Sequence, residues 1–202
     1  MKVLLTGAAG GMGLESLKQM AQDGGSYQIV ALDLDTGRCR ERLKPFEGNS
    51  RVKPLFGDLT DAAFAESAVK GCDLILHVAA FVSPAADYYP KKAMEVNFGG
   101  TRNLIEAVKK LGQNDTTRFV YIGTVAETGD RMPPIHWGRV GDPIKPSMFD
   151  YYAVSKIAAE RYVIESGLKY WVSLWQTGTD TAAAWSVSVL HVRPTPRPPG
   201  CR

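Results

Sequence analysis

Cysteine is scarce in this chain, three residues in 202, and Cys39, Cys72 and Cys201 are scattered without any metal-ligand spacing. An odd, dispersed set of thiols argues against a disulfide framework or a zinc site and suits a reducing compartment. Long apolar runs are missing too. No stretch approaches the about twenty residues needed to span a bilayer, and residues 1–6 enter a strand-like run without a signal-peptide pattern. The expectation is a cytoplasmic protein with no membrane partner. Excess charge is also small: the formal net charge is +3, much of it in the last ten residues, and no basic stripe suits a nucleic acid. What remains is an ordinary globular composition, 45% hydrophobic, at a length that fits one domain or one and a fragment.

Glycine is plentiful, and its placement organises the chain. Thr6-Gly7-Ala8-Ala9-Gly10-Gly11-Met12-Gly13 follows the apolar run Val3-Leu4-Leu5 and precedes a helical pattern with Leu14, Leu17, Met20 and Ala21 on one face. Gly7, Gly10 and Gly13 allow a tight turn, a close approach of backbone to a pyrophosphate, and close packing of helix on sheet. Gly11 and Met12 then open a helix whose free N–H groups and positive dipole end suit phosphate. A glycine run of this kind also occurs as a plain tight turn, so the rest of the chain decides. Gln28 to Leu32 reads as a second strand and ends in Asp33, 20 residues beyond Gly13. A carboxylate there accepts hydrogen bonds from a ribose diol and repels a 2′-phosphate, which favours NAD. Arg38 and Arg40 keep NADP as the second reading, and a turn cap is the alternative role for Asp33.

The pattern continues with strands at Val52 to Phe56, Asp73 to Val78, Arg118 to Ile122 and Tyr170 to Leu174. Helices are expected from Thr60 or Asp61 to about Val69, from Pro90 to Leu111, and from Tyr151 to Glu165. The strand-helix alternation predicts an α/β fold: a Rossmann-like, doubly wound parallel sheet with helices on both faces. Ligands of such sheets lie outside the carboxyl ends of the strands, where Gly7 to Gly13, Asp33, Asp58, Ala79 to Phe81 and Thr124 all fall. His77 reads as a packed, hydrogen-bonded histidine before it reads as a catalyst. The proline-bearing segment from Glu127 to Asp150 is a long loop and a candidate for the substrate side.

Tyr152 and Lys156 stand i, i+4 on the last helix and project from one face. An ammonium beside a phenol favours the ionised phenol and draws its pKa down from about 10, so Tyr152 could exchange a hydroxyl proton while hydride moves to or from nicotinamide. A solvated helix face carries the same pattern without chemistry.

In combination these motifs resemble the short-chain dehydrogenase/reductase superfamily, in its extended NAD-dependent epimerase/dehydratase branch, over about residues 1–178. Thr6 to Gly13 resembles the branch's Gly-x-x-Gly-x-x-Gly loop, Gly57-Asp58-Leu59 its adenine-contacting segment, and His77-Val78-Ala79-Ala80 its fourth-strand signature. Asn97-Phe98-Gly99-Gly100-Thr101 is similar to its Asn-x-x-Gly-Thr motif. In Tyr121-Ile122-Gly123-Thr124 the usual catalytic hydroxyl falls on Thr124, and Tyr152-Ala153-Val154-Ser155-Lys156 supplies the catalytic pair. The resemblance implies NAD contacts from the glycine loop, Asp33, Asp58, Leu59, Ala79 and Ala80. It implies that Thr124 polarises a substrate oxygen, that Tyr152 is the acid/base, and that Lys156 binds the nicotinamide ribose and lowers the Tyr152 pKa. It implies that Asn97, among the cofactor-binding residues, fixes strand-helix geometry and a water rather than touching substrate.

The implied reaction is reversible hydride transfer at a secondary alcohol or ketone of a small molecule, with sugars and sugar nucleotides in range, and the implied assembly is a homodimer. A second reading is an NAD-binding protein without turnover. Two departures touch the substrate wall: Gly123 replaces a more usual serine, and Glu127-Thr128 replaces the aromatic commonly found before Gly129. Trp175 stands where an arginine often follows the sixth strand. The family continues into a substrate domain, but residues 179–202 read as an atypical Pro/Arg tail, a non-homologous ending with the substrate domain largely absent.

Overall fold

The computed structural model describes residues 1–128, 147 and 149–173. Six strands form one sheet: β1 (Lys2–Thr6), β2 (Gln28–Asp33), β3 (Val52–Phe56), β4 (Leu74–His77), β5 (Arg118–Ile122) and β6 (Lys169–Ser173). Their order is β3-β2-β1-β4-β5-β6, and all five pairings are parallel. Runs such as Val3-Leu4-Leu5 and Ile29-Val30-Ala31-Leu32 are apolar without alternation because helices cover both faces of the sheet.

Side-chain alternation along the strands separates two cores. Leu5, Ile29 and Ala31 face α1 (Gly11–Gln22) and α2 (Gly37–Leu43), where Leu17 and Leu43 pack against them. Leu4, Val30, Ile75, Phe119 and Tyr121 face the other way. They meet Ala65 of α3 (Ala62–Val69), Leu104 and Val108 of α6 (Gly100–Lys110) and Val163 of α7 (Tyr151–Glu165). Leu4, Leu5 and Leu17 are wholly buried, each contributing about 1.5–3 kcal/mol relative to exposure.

The register aligns the carboxyl ends. Thr6 pairs with Leu32 on one side and His77 on the other, and His77 pairs with Tyr121. Strand order reverses between β1 and β4, so the crevice that receives ligands in such sheets opens beside Thr6 and His77.

Two features depart from the sequence reading. Helix α2 is short and charged, with Leu43 its one buried residue, so no apolar period announces it; the Thr36 side chain caps it by accepting from the Cys39 N–H. The expected Pro90 to Leu111 helix is interrupted. After α4 (Ala85–Tyr88) and α5 (Pro90–Ala93), a wide π turn spans Met94–Gly99 before α6 begins. Such a turn inserts one extra residue, a common device at functional sites. At α3 the cap is Asp61, which accepts from the Ala63 and Phe64 N–H groups. Most of the long loop, Leu174, Trp175, the boundary at 178 and the tail from 179 to 202 lie outside the described residues. Among the described residues no helix is long and apolar enough to cross a membrane.

Candidate active site

The glycine loop is shaped by two contacts that a side chain would close. Gly7 has φ +68°, and a Cβ there would lie 2.8 Å from the main chain of Ala79; a Cβ on Gly13 would lie 2.0 Å from the Gly7 carbonyl oxygen. The loop is therefore pressed between the exit of β4 and the first turn of α1. Gly10 caps that turn, its N–H donating to the Gly7 oxygen at 2.9 Å, with no side-chain cap and no acidic residue in the turn. Exposed Gly11 and half-buried Met12 follow. An uncapped helix start with its dipole intact fits an anionic ligand.

Asp33 closes the other wall. Its carboxylate accepts from the Ala9 N–H at 2.7 Å, the Leu34 N–H at 2.8 Å and the Cys39 thiol at 3.4 Å. It thus both turns the chain locally and ties β2 to the glycine loop. A carboxylate offers about four acceptor positions, so about one remains for a ribose hydroxyl. Arg40 forms a bidentate pair with Asp35 at 2.6 and 2.9 Å and lies over the Phe56 ring. Asp58 is exposed at the end of β3 and accepts from the Thr60 N–H, whereas the Leu59 side chain packs into the core against Gly100. Ala79 and Ala80 are half-buried beside Gly7.

A chain of hydrogen bonds runs from β1 to α7. The Ala79 N–H donates to Thr6 Oγ1 at 3.1 Å, and Thr6 Oγ1 lies 2.7 Å from His77 Nδ1. His77 Nε2 is 2.9 Å from Thr101 Oγ1, which donates to the Asn97 carbonyl at 2.6 Å. Because Thr101 spends its proton on Asn97, it accepts from Nε2–H; Nδ1 then accepts from the Thr6 hydroxyl. The imidazole is neutral with one tautomer fixed, and burial, reinforced by the Lys156 charge, lowers its pKa to about 3. Asn97 is buried in the π turn, with its Oδ1 accepting from the Phe81 N–H and its Nδ2 donating to the Phe81 oxygen and Ser155 Oγ. Ser155 donates in turn to the Tyr152 carbonyl.

The reactive side chains gather at the end of β5. The Tyr152 phenol lies beside Thr124, which is itself buried. Lys156 is 3% exposed; its Nζ donates to the Ile122 carbonyl at 2.6 Å and lies 4.0 Å from the centre of the Tyr121 ring. Burial lowers its pKa to about 8, with Glu127 and Glu160 opposing that fall. The expected lowering of the Tyr152 pKa by Lys156 is corrected here. Burial pushes the phenol upward, the Thr124 hydrogen bond opposes it, and Glu127 and Asp150 raise it further. Spacing on a helix put the ammonium near the phenol, but the ammonium is aimed at the end of β5.

Several contributors had no role in the sequence reading. Thr6, Thr101 and Ser155 lay inside quoted motifs, yet their partners are 71, 24 and 58 residues away. Glu127 and Glu160 are buried acids close enough to raise the Glu127 pKa. The available signal was a glutamate where an aromatic was expected, and a second glutamate four residues beyond Lys156 on the same helix face.

Comparison with known proteins places these features in context. The pattern of the "NAD dependent epimerase/dehydratase family" matches residues 3–174. The human 3 beta-hydroxysteroid dehydrogenase type 7 is 32% identical over 167 residues, covering 81% of this chain and 44% of that protein. The chain therefore spans less than half of that relative's length. Among solved structures, the Bordetella bronchiseptica enzyme WbmH in complex with NAD+ is 26% identical with a TM-score of 0.70, covering 86% of this chain and 55% of that one. The Streptomyces venezuelae dTDP-glucose 4,6-dehydratase DesIV, solved with NAD bound, is 25% identical with a TM-score of 0.72 at the same coverage.

Proposed function

Since the chain belongs to the NAD-dependent epimerase/dehydratase family, we propose that it binds NAD across the carboxyl ends of its strands and serves reversible hydride transfer at a secondary alcohol or ketone of a small molecule. The observation that carries this reading is the meeting of buried Thr124 and Lys156 with Tyr152 at the end of β5, on a helix tied through Ser155, Asn97, Thr101 and His77 to the start of the glycine loop.

The residues fit the cofactor. The tight backbone that Gly7 and Gly13 permit, the open surface at Gly11 on the uncapped start of α1 with Gly10 and Met12, and the Asp33 carboxylate suit a pyrophosphate and a ribose diol. Asp58, the main chain of Leu59, and Ala79 with Ala80 border the same strand ends. NAD is favoured over NADP because the Arg40 guanidinium is already paired with Asp35. When bound, the nicotinamide supplies the hydride chemistry. The protein's part is to hold and move a proton. Thr124 orients the substrate oxygen, and the Tyr152 hydroxyl gives or takes the proton at that oxygen. Lys156, held at the end of β5 by the Ile122 carbonyl, would supply a cation for the nicotinamide ribose. Asn97 positions α7 through Ser155.

Relatives act on steroids and sugar nucleotides by name, and the substrate here is a hydroxylated or carbonyl small molecule of that breadth. The working unit is a cytoplasmic homodimer using the Pro90 to Lys110 region and α7, near which Tyr88, Tyr89, Phe149 and Tyr151 are exposed. Residues 1–178 form the cofactor domain of this reading and 179–202 the tail. Titration with NAD and NADP separately, followed by spectrophotometric assay of nicotinamide reduction against a panel of secondary alcohols, tests it. Tighter NAD binding with turnover is expected. Binding without turnover on any alcohol supports the non-catalytic alternative, and preference for NADP overturns the role of Asp33.

A further inference from the structure

Lys156 carries a long, rotatable stem into a buried setting where a cation is costly. Something must hold it in place. Tyr121 lies in β5, flanked in register by His77 of β4 and Val172 of β6, and its wholly buried side chain enters the core shared with α7. It touches Lys156 twice. The phenol donates to the Lys156 carbonyl at 3.0 Å, and the Lys156 ammonium stands 4.0 Å from the centre of the same ring while donating to the Ile122 carbonyl at 2.6 Å. Elsewhere among the described residues, cations stand 4.5–5.9 Å from ring centres, on exposed or half-buried side chains. The Tyr121 contact is both closer and drier.

We infer that Tyr121 is the positioning residue of Lys156: its hydroxyl fixes the helix turn that carries the lysine, and its ring face holds the ammonium against the Ile122 carbonyl at the end of β5. A ring face attracts a cation most where water is excluded, and a buried phenol needs a partner, which the helix carbonyl supplies. A phenylalanine would meet the first demand alone. Burial holds the Tyr121 pKa well above its ordinary value, so the hydroxyl stays a donor across the working range. His77, 6.0 Å from the ring, is neutral and adds no second cation. This clamp accounts for an ammonium that points at β5 instead of at the Tyr152 phenol. What the ammonium is held there to do rests on the proposed function, whereas the hold itself belongs to the folded chain and is measured without turnover.

The test is carbon-13 NMR titration of the full chain labelled at lysine, with the Lys156 signals identified by their loss in Lys156→Met. Position 121 is changed in a series that keeps volume nearly constant: Tyr121→Phe, then phenylalanines carrying one, two and three ring fluorines, which weaken the negative ring face stepwise. Burial lowers the Lys156 pKa to about 8, and Glu127 and Glu160 oppose that fall. Those acids and His77 are the same in every member, so differences report the ring. From phenylalanine to the ring with three fluorines, the Lys156 midpoint should fall by about 0.4–1.5 pH units, the worth of the lost attraction, while the other lysines stay in place. Tyr121→Phe itself should leave the midpoint close to that of the unsubstituted chain. It should move the Lys156 carbonyl signal upfield, because a hydrogen bond to that oxygen is lost. A flat midpoint across the series overturns the role of the ring, and an unmoved carbonyl signal overturns that of the hydroxyl. Calorimetric titration with NAD reads the proposed function separately. A chain whose midpoint follows the ring but which binds no NAD keeps the clamp and loses that function; NAD binding with a flat midpoint keeps the function and removes the clamp.

Discussion

The two ends of the crevice are built from opposite materials. On the β1–β2 side the glycine loop is defined by atoms that are missing: a Cβ on Gly7 or Gly13 would come within 2.8 or 2.0 Å of neighbouring main chain, so the backbone there packs too closely for any side chain. On the β5–α7 side the site is crowded with buried groups that can change charge. Tyr121, Glu127, Tyr152 and Lys156 all carry displaced pKa values there, with burial the leading cause for each. The lesson is that the glycine loop is sensitive to volume and Asp33 beside it to charge, whereas the second half tolerates isosteric volume and is sensitive to charge and protons.

The largest effect should come from Tyr152→Phe, which alters a hydroxyl without altering shape. Hydride transfer should fall about 10²–10⁴-fold while NAD affinity, read by calorimetry, stays near its starting value. Equal loss of both would erase the contrast. Gly13→Ala is the converse change. The added methyl meets the Gly7 carbonyl, so overpacking should cost about 1–3 kcal/mol in denaturant unfolding and weaken NAD binding at least about tenfold; a fully active, fully stable alanine variant would show that the loop can yield. Asp33→Asn keeps the shape and removes the charge. The NAD-over-NADP preference should narrow by about 10–150-fold, the worth of hydrogen bonds to a charged acceptor, as read by parallel titrations.

The smallest effect is a slope. His77 titrates near 3 when folded against an ordinary 6.5, so the unfolded chain binds more protons between those values and stability from this group rises with pH there. Glu127 is the reverse: held near 9 against an ordinary 4.5, it binds more protons when folded, and its contribution is lost as pH rises through that window. Below pH 6.5 the two oppose each other. From there to the onset of Lys156 titration near 8, Glu127 acts without that opposition, and unfolding free energy should decline by at most about 1.4 kcal/mol per pH unit. Glu127→Gln should flatten the decline, and an unchanged slope would place its origin elsewhere.

How much of this was legible in the sequence follows the same division. Strands β3 and β5 and helix α7 begin and end where the sequence reading puts them: Phe119 to Ile122 of β5 is apolar as a strand covered on both faces must be, and edge strand β3 is half-buried with Lys53 exposed. The glycine positions were readable since a missing side chain leaves a mark in the sequence itself. Helix α2 was not, because a short polar helix held by a Thr36 cap has no apolar period. The π turn was equally hidden: Asn97-Phe98-Gly99-Gly100 marks a motif without stating that one extra residue is inserted. The direction of the Tyr152 shift was misread for a different reason. Spacing sets which face of α7 a side chain leaves from, but burial and aim depend on β5, about 30 residues earlier. The hydrogen-bond chain through His77 joins segments with no sequence proximity at all.

The register of the sheet also bears on how the protein is made. Strand β1 is central, yet its second neighbour is β4, and Thr6 meets His77 across 71 residues. At about 5–20 residues per second, synthesis leaves β1 with one open edge for roughly 4–14 seconds after Thr6 is joined. Throughout that interval the apolar run Val3-Leu4-Leu5 offers unpaired backbone groups to any strand that reaches it. The crevice is therefore assembled late, when β4 closes against β1, and sequence changes that weaken the β4 edge should lower the yield of folded chain before they disturb its chemistry.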